Sequence, residues 1–171
     1  MSLIKPHGAE ALTPRIVSDQ RKEELVEEAT GLASIMVSSA AAANAVMLGA
    51  GYFTPLSGYM NRADAIKVAR DLVTTEGLFW PVPVLNMVAE FNGEVGTRIA
   101  LRDPNVDGNP VLAVMTLTGV DTLSDDDMSL MTREIFGTED PEHPGVATFN
   151  NQGRVLLSGP IEVLNLSLRP E

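Results

Sequence analysis

The chain has 171 residues, 44% of them hydrophobic and 20% charged, enough for one domain of ordinary size with a real core. Its 23 acidic residues against 12 basic ones give a net charge of −11, which repels phosphate backbones and argues against nucleic-acid binding. With no cysteine, disulfides and thiolate metal sites are excluded; with no apolar run like a signal peptide or a membrane span, the expected setting is cytoplasmic.

The first predicted helix is "SDQRKEELVEEATGL", residues 18–32, capped by Ser18 or Asp19 and ended by Gly31. Leu25, Val26 and Ala29 form its expected buried stripe. "SSAAAANAVMLGAG", residues 38–51, predicts a second helix capped by Ser38 or Ser39, whose alanines favour helix and allow close packing. A third, "NRADAIKVARDLVTTEG", begins at residue 61 with Asn61 as cap and Ile66, Val68, Ala69 and Leu72 as apolar face. The texture then changes to β-rich runs bounded by turn residues: "WPVPVLNMV", "GTRIALRD", "PVLAVMTLTGV" and "GRVLLSGPIEVLNLSL". Between the last two lies another helix, "SDDDMSLMTREIFG", where Ser124 and Asp127 have capping-box spacing. Helices first and strands mostly later argue for an α+β fold with a small β-barrel or curled sheet.

Three stretches invite a chemical reading. "RDPNVDGNP", residues 102–110, has Asp103, Asn105, Asp107 and Gly108 where a calcium loop would begin. The twelfth position, which needs a bidentate glutamate, is Val114, and the flanks are strand-like, so a hairpin connection is expected. "FGTEDPEHPGV", residues 136–146, gathers Glu139, Asp140, Glu142 and His143. The chain has only one other histidine, His7, and prolines 141 and 144 with Gly145 suggest a rigid structural or interface loop. Gly49 and Gly51 make a G-x-G pair, but Thr54 stands where a dinucleotide loop needs its third glycine. The segment after them offers Phe53, Pro55, Leu56 and Tyr59 for docking on the chain's own core or on a neighbouring domain. There is no P-loop and no G-x-S-x-G, so no catalytic, metal-binding or cofactor-binding residue is expected.

In order, "LIKPHG" (3–8), "GYFTPLSGYMN" (51–61), "GLFWPVPVLN" (77–86), "RIALRDPNVDGNPVLAVM" (98–115), "FGTEDPEHPGV" (136–146) and "SGPIEVLN" (158–165) resemble the N-terminal, PUA-like domain of ATP sulfurylase (sulfate adenylyltransferase). The block "SSAAAANAVMLGAGYFTPLSGYM" is most similar to the enzymes of sulfur-oxidising bacteria. The resemblance implies a PUA-like fold over residues 1–171 as a single domain. It also implies a parent reaction: ATP and sulfate interconverting with adenosine 5′-phosphosulfate and pyrophosphate. The family's catalytic signatures, Gln-x-Arg-Asn-Pro and His-x-x-His, belong to a following nucleotidyltransferase domain and are not in this sequence. The resemblance therefore implies an inactive fragment that packs on its own catalytic domain within a homo-oligomeric parent. Phe53, Pro55, Leu56, Tyr59, Asp140, His143 and Pro144 are the candidate packing residues. Two other readings stand beside it: an RNA-binding PUA-like module, and a standalone regulatory or calcium-binding domain.

Overall fold

The computed structural model describes residues 3–165. Helix α1, Asp19–Ala29, starts where the Ser18 hydroxyl accepts from the backbone N–H of Arg21. Thr30, not Gly31, closes it, and Val26 points to solvent while Leu25 and Ala29 are buried. After strand β1, Ser34–Met36, comes α2, Ser39–Ala50, capped by Ser38 and ended by Gly51 in the left-handed region. Strand β2, Gly58–Tyr59, leads into α3, Arg62–Asp71, capped by Asn61. Val68 and Ala69 face the core as expected, with Ala65 beside them. Leu72 turns outward instead, because it terminates α3 at a positive φ of 59°.

The strands that follow are β3 (Met87–Val88), β4 (Arg98–Arg102), β5 (Val111–Thr116) and β6 (Gly119–Thr122). Then α4, Asp125–Phe136, closes its start with a capping box in which Asp127 serves in place of glutamate. Helix α5, Pro144–Asn151, and strand β7, Val155–Val163, complete the chain. The end of the last β-rich run, residues 166–168, lies outside the described residues.

Seven strands make one curled sheet, in the order β1-β4-β5-β7-β2, with β3 and β6 also pairing with β7. The α+β class and the curled sheet expected from the sequence are what forms. Strand β7 bends at Gly159, whose φ is 145°. Before the bend its residues pair with β3 and β6; at the bend with β2; after it with β5. Gly159 lies so close to Thr116 that a Cβ would overlap the Thr116 carbonyl oxygen, and a Cβ on Gly58 would overlap that of Gly159. Only glycine fits both positions.

The sheet is covered on both faces. The larger core holds Ile99, Leu101, Met115, Leu156 and Ile161 against α2, α3, α4 and α5. On the other face Val114 and Leu164 pack under Leu25 of α1. Above that small cluster Glu162 of β7 accepts from Arg21 at 3.0 Å and Arg98 at 3.0 Å, tying α1 to β4. These arginines hold the Glu162 carboxyl below the usual carboxylate range, Arg21 most strongly.

Two stability tests follow from these contacts. Gly159→Ala is expected to cost about 3 kcal/mol or more in urea unfolding, from backbone overlap and a φ closed to side chains. Asp127 accepts from the Arg62 guanidinium and from the Ser124 backbone N–H, which together hold its carboxyl below its ordinary range. A lowered folded-state pKa stabilises the fold above the unfolded value and is lost as pH falls. Asp127→Asn is therefore expected to cost about 1–2 kcal/mol at neutral pH, shrinking as pH falls below about 4. A penalty independent of pH would count against this assignment.

Candidate functional site

The stretch from Asp103 to Pro110 joins β4 to β5, which are antiparallel. Asp103 is fully buried; its Oδ1 accepts from the Asn105 N–H at 2.8 Å, and its own N–H donates to the Pro110 carbonyl at 3.0 Å. The Asn109 amide donates back to the Asp103 carbonyl at 2.9 Å, with Gly108 and Asn109 both at positive φ. The carboxylate that would open a calcium loop is thus spent shaping the turn. Among the described residues no three His, Cys, Asp or Glu side chains come together.

The second stretch divides. Thr138 to Glu142 is a turn, as expected, but Pro144 begins α5 rather than closing a loop. His143 caps this helix, its Nδ1 accepting from the N–H groups of Gly145 at 3.2 Å and Val146 at 3.4 Å. Its ring lies 5.8 Å from that of Phe136. The proline at the first helical position has no N–H to leave unsatisfied, so it starts the helix. Asp140, His143 and Pro144 are all exposed.

In the third stretch Gly51 ends α2 and the chain turns through a cis Thr54–Pro55 peptide. Phe53 packs edge-on against Trp80, centroids 5.7 Å apart. Leu56 and Pro55 are half-buried. Tyr59 departs from its expected place on a packing surface: it is 4% exposed, paired into the sheet, with its hydroxyl donating to the Ala41 carbonyl at 2.7 Å. Burial pushes its phenol pKa up.

The sequence reading missed the residues that are exposed here. Tyr52, Phe79 and Val82 stand out beside Phe53 and Trp80 around a cavity of about 520 Å³. His7 of the N-terminal arm reaches it, its Nε2 2.8 Å from the Phe79 carbonyl oxygen. The signal available was the aromatic pair in "GLFWP", where two adjacent rings in an extended segment must face opposite ways.

The charged groups hold structure together. Every lysine and arginine among the described residues has a partner within the chain. Arg15 and Arg102 donate to the carbonyls of Ile161 and Asn109, and Lys22 to the Asn165 side chain. No cluster of free cations is left among them to cradle a phosphate or sulfate. Among the described residues no helix is long and apolar enough to cross a membrane.

Residues 4–166 match the family model described as "PUA-like domain". The chain belongs to the PUA-like domain family. It is 56% identical to a sulfate adenylyltransferase of Allochromatium vinosum, over 96% of this chain and 42% of the relative. It is 45% identical to the sulfate adenylyltransferase of the Riftia pachyptila sulfur-oxidizing endosymbiont, over 96% of this chain and 38% of that protein. The chain thus spans about two-fifths of the length of these relatives. A solved structure described as "Hexameric APS kinase from Thiobacillus denitrificans" superposes with a TM-score of 0.69 at 26% identity, covering 99% of this chain and 28% of that one. The resemblance to the PUA-like domain of ATP sulfurylases is borne out.

Calorimetry with calcium is expected to show no binding in the micromolar range, and such binding abolished by Asp107→Ala would overturn the turn assignment. Asp103→Ala is expected to destabilise the fold by about 1–3 kcal/mol in urea unfolding, because it orphans the Asn105 N–H.

Proposed function

We propose that this chain is the supporting, non-catalytic domain of a sulfate adenylyltransferase, whose reaction interconverts ATP and sulfate with adenosine 5′-phosphosulfate and pyrophosphate. The observation that carries this reading is the match to sulfate adenylyltransferases along 96% of the chain but only 42% of the relative. The side chains support it. Transfer of an adenylyl group needs cationic and hydrogen-bonding donors aimed at phosphate oxygens. Here the described arginines and lysines are committed to carboxylates and carbonyls of the chain itself.

In this reading the domain packs on a nucleotidyltransferase domain within a cytoplasmic homo-oligomeric enzyme, and the likeness to a solved protein described as hexameric supports the oligomer. The chain needs no cofactor or metal of its own. Phe53, Pro55, Leu56, Asp140, His143 and Pro144 remain candidates for the packing surface; Tyr59, closed inside the core, does not.

The test is direct. The purified chain is expected to make no ATP from adenosine 5′-phosphosulfate and pyrophosphate above background in a luciferase-coupled assay. The full-length Allochromatium vinosum enzyme serves as positive control. Turnover by the chain alone at a comparable rate would sink the proposal.

A further inference from the structure

The cavity at Phe79 does not end there. Val82 also lines a second cavity, about 340 Å³, which runs along α2 past Ala40 and Ala43 to Phe136. Together they form a groove bounded by Tyr52 and Phe79 at one end and Phe136 at the other. No charged side chain lines either cavity, although the chain carries 23 acidic and 12 basic residues. Three other cavities all include carboxylates: Asp19 and Asp103 in one, Glu28 and Glu94 in another, Asp64 in the third. Tyr52 is 75% exposed, Phe79 54% and Val82 52%.

Helix α2 gives the groove its floor. None of its 12 residues is charged, and it is apolar on all sides. A helix of that kind is normally covered all round. Here Ala41, Ala42, Ala45, Leu48 and Gly49 are buried, while Ala40 is exposed and Ala43 half-buried on the open side. Small side chains there let a partner's backbone approach closely, and the aromatic rims supply rigid area of the kind that anchors interfaces.

We propose that this groove is the seat of the remainder of a sulfate adenylyltransferase polypeptide, entering as an uncharged, apolar ridge. The inference rests on the supporting-domain reading above and names the surface it uses. Two observations select that occupant. More than half of the Allochromatium vinosum relative lies outside the match to this chain. An uncharged groove on an otherwise acidic chain fits an apolar protein surface, not a nucleic acid, which would need cations. The groove lies between the Phe53–Leu56 segment and the α4–α5 turn, so those two stretches become its ends.

The test fuses this chain in place of the matching part of the Allochromatium vinosum enzyme and follows calorimetric melting and turnover. Val82→Lys and Ala43→Glu place charges in the groove; Val26→Lys, on α1 across the sheet, is the control. In the isolated chain all three are expected to shift the melting temperature by no more than about 2 °C, since each site is open. In the fusion, the native groove is expected to give one cooperative transition, the groove variants two, and the control one. If the groove variants melt like the native fusion, the groove is not the seat, while turnover of the fusion still upholds the supporting-domain reading. A native fusion that melts in two steps and has no turnover overturns both. Sedimentation of the isolated chain completes the test: a dimer dissolved by the groove variants would make the occupant a second copy and overturn the assignment.

Discussion

The bend of β7 at Gly159 is the constraint on which the sheet depends. One nine-residue strand serves four partners, and it can do so only by changing direction where Thr116 and Gly58 press against it. Before the bend, Leu157 donates to the Asn86 carbonyl; after it, Ile161 donates to Ser57 and Val163 to Arg15. Each bond pins a segment with little regular structure of its own. A sheet that curls this sharply encloses one large core on its inner side. It leaves the outer side to a single helix, α1, over a much smaller cluster.

That pinning explains the groove. The chain from Trp80 to Asn86 is held at both ends, by Trp80 donating to Leu72 and by Leu157 donating to Asn86, with Met60 donating to Val84 between them. Trp80, Val84, Leu85 and Asn86 are thereby buried, and Val82 is left outside. Its exposure follows from the backbone rather than from a loose side chain. A rigid apolar projection loses little conformational entropy on being covered, which suits a docking surface better than a flexible one.

Much of this was legible in the sequence because local chemistry decided it. Ser18, Ser38, Asn61 and Ser124 cap helices where their spacing to the first apolar residues said they would. The Asp103–Pro110 turn follows from its Asp, Asn and Gly content. What was not legible depended on distant partners. Strand β1 pairs in parallel with β4, more than sixty residues on, and its three residues carry no signal alone. "WPVPVLNMV" reads as one strand, yet only Met87 and Val88 pair, because the prolines upstream cannot donate to a ladder. Helix α5 was hidden by two prolines and by a histidine cap, a role usually taken by Ser, Thr, Asp or Asn. Tyr59 read as an exposed aromatic because its two-residue strand forms only against β7.

The candidate surface divides along the same line. Phe53 and the Pro144 turn could be picked out as segments, but whether they shared a face could not, since sequence does not order loops in space. The structure supplies the element between them, α2, and turns an alanine run into a statement about surroundings. On the α1 side, Arg21, Arg98, Glu28 and Glu162 keep a polar network where solvent competes with every pair, so its net worth is small. On the α2 side no such pair stands beside the open groove, and covering apolar surface is the main gain available there. A charged surface that is already satisfied gains little from a partner, whereas an uncharged face beside exposed aromatics gains by being covered. The two sides therefore suit different neighbours, water on one and protein on the other.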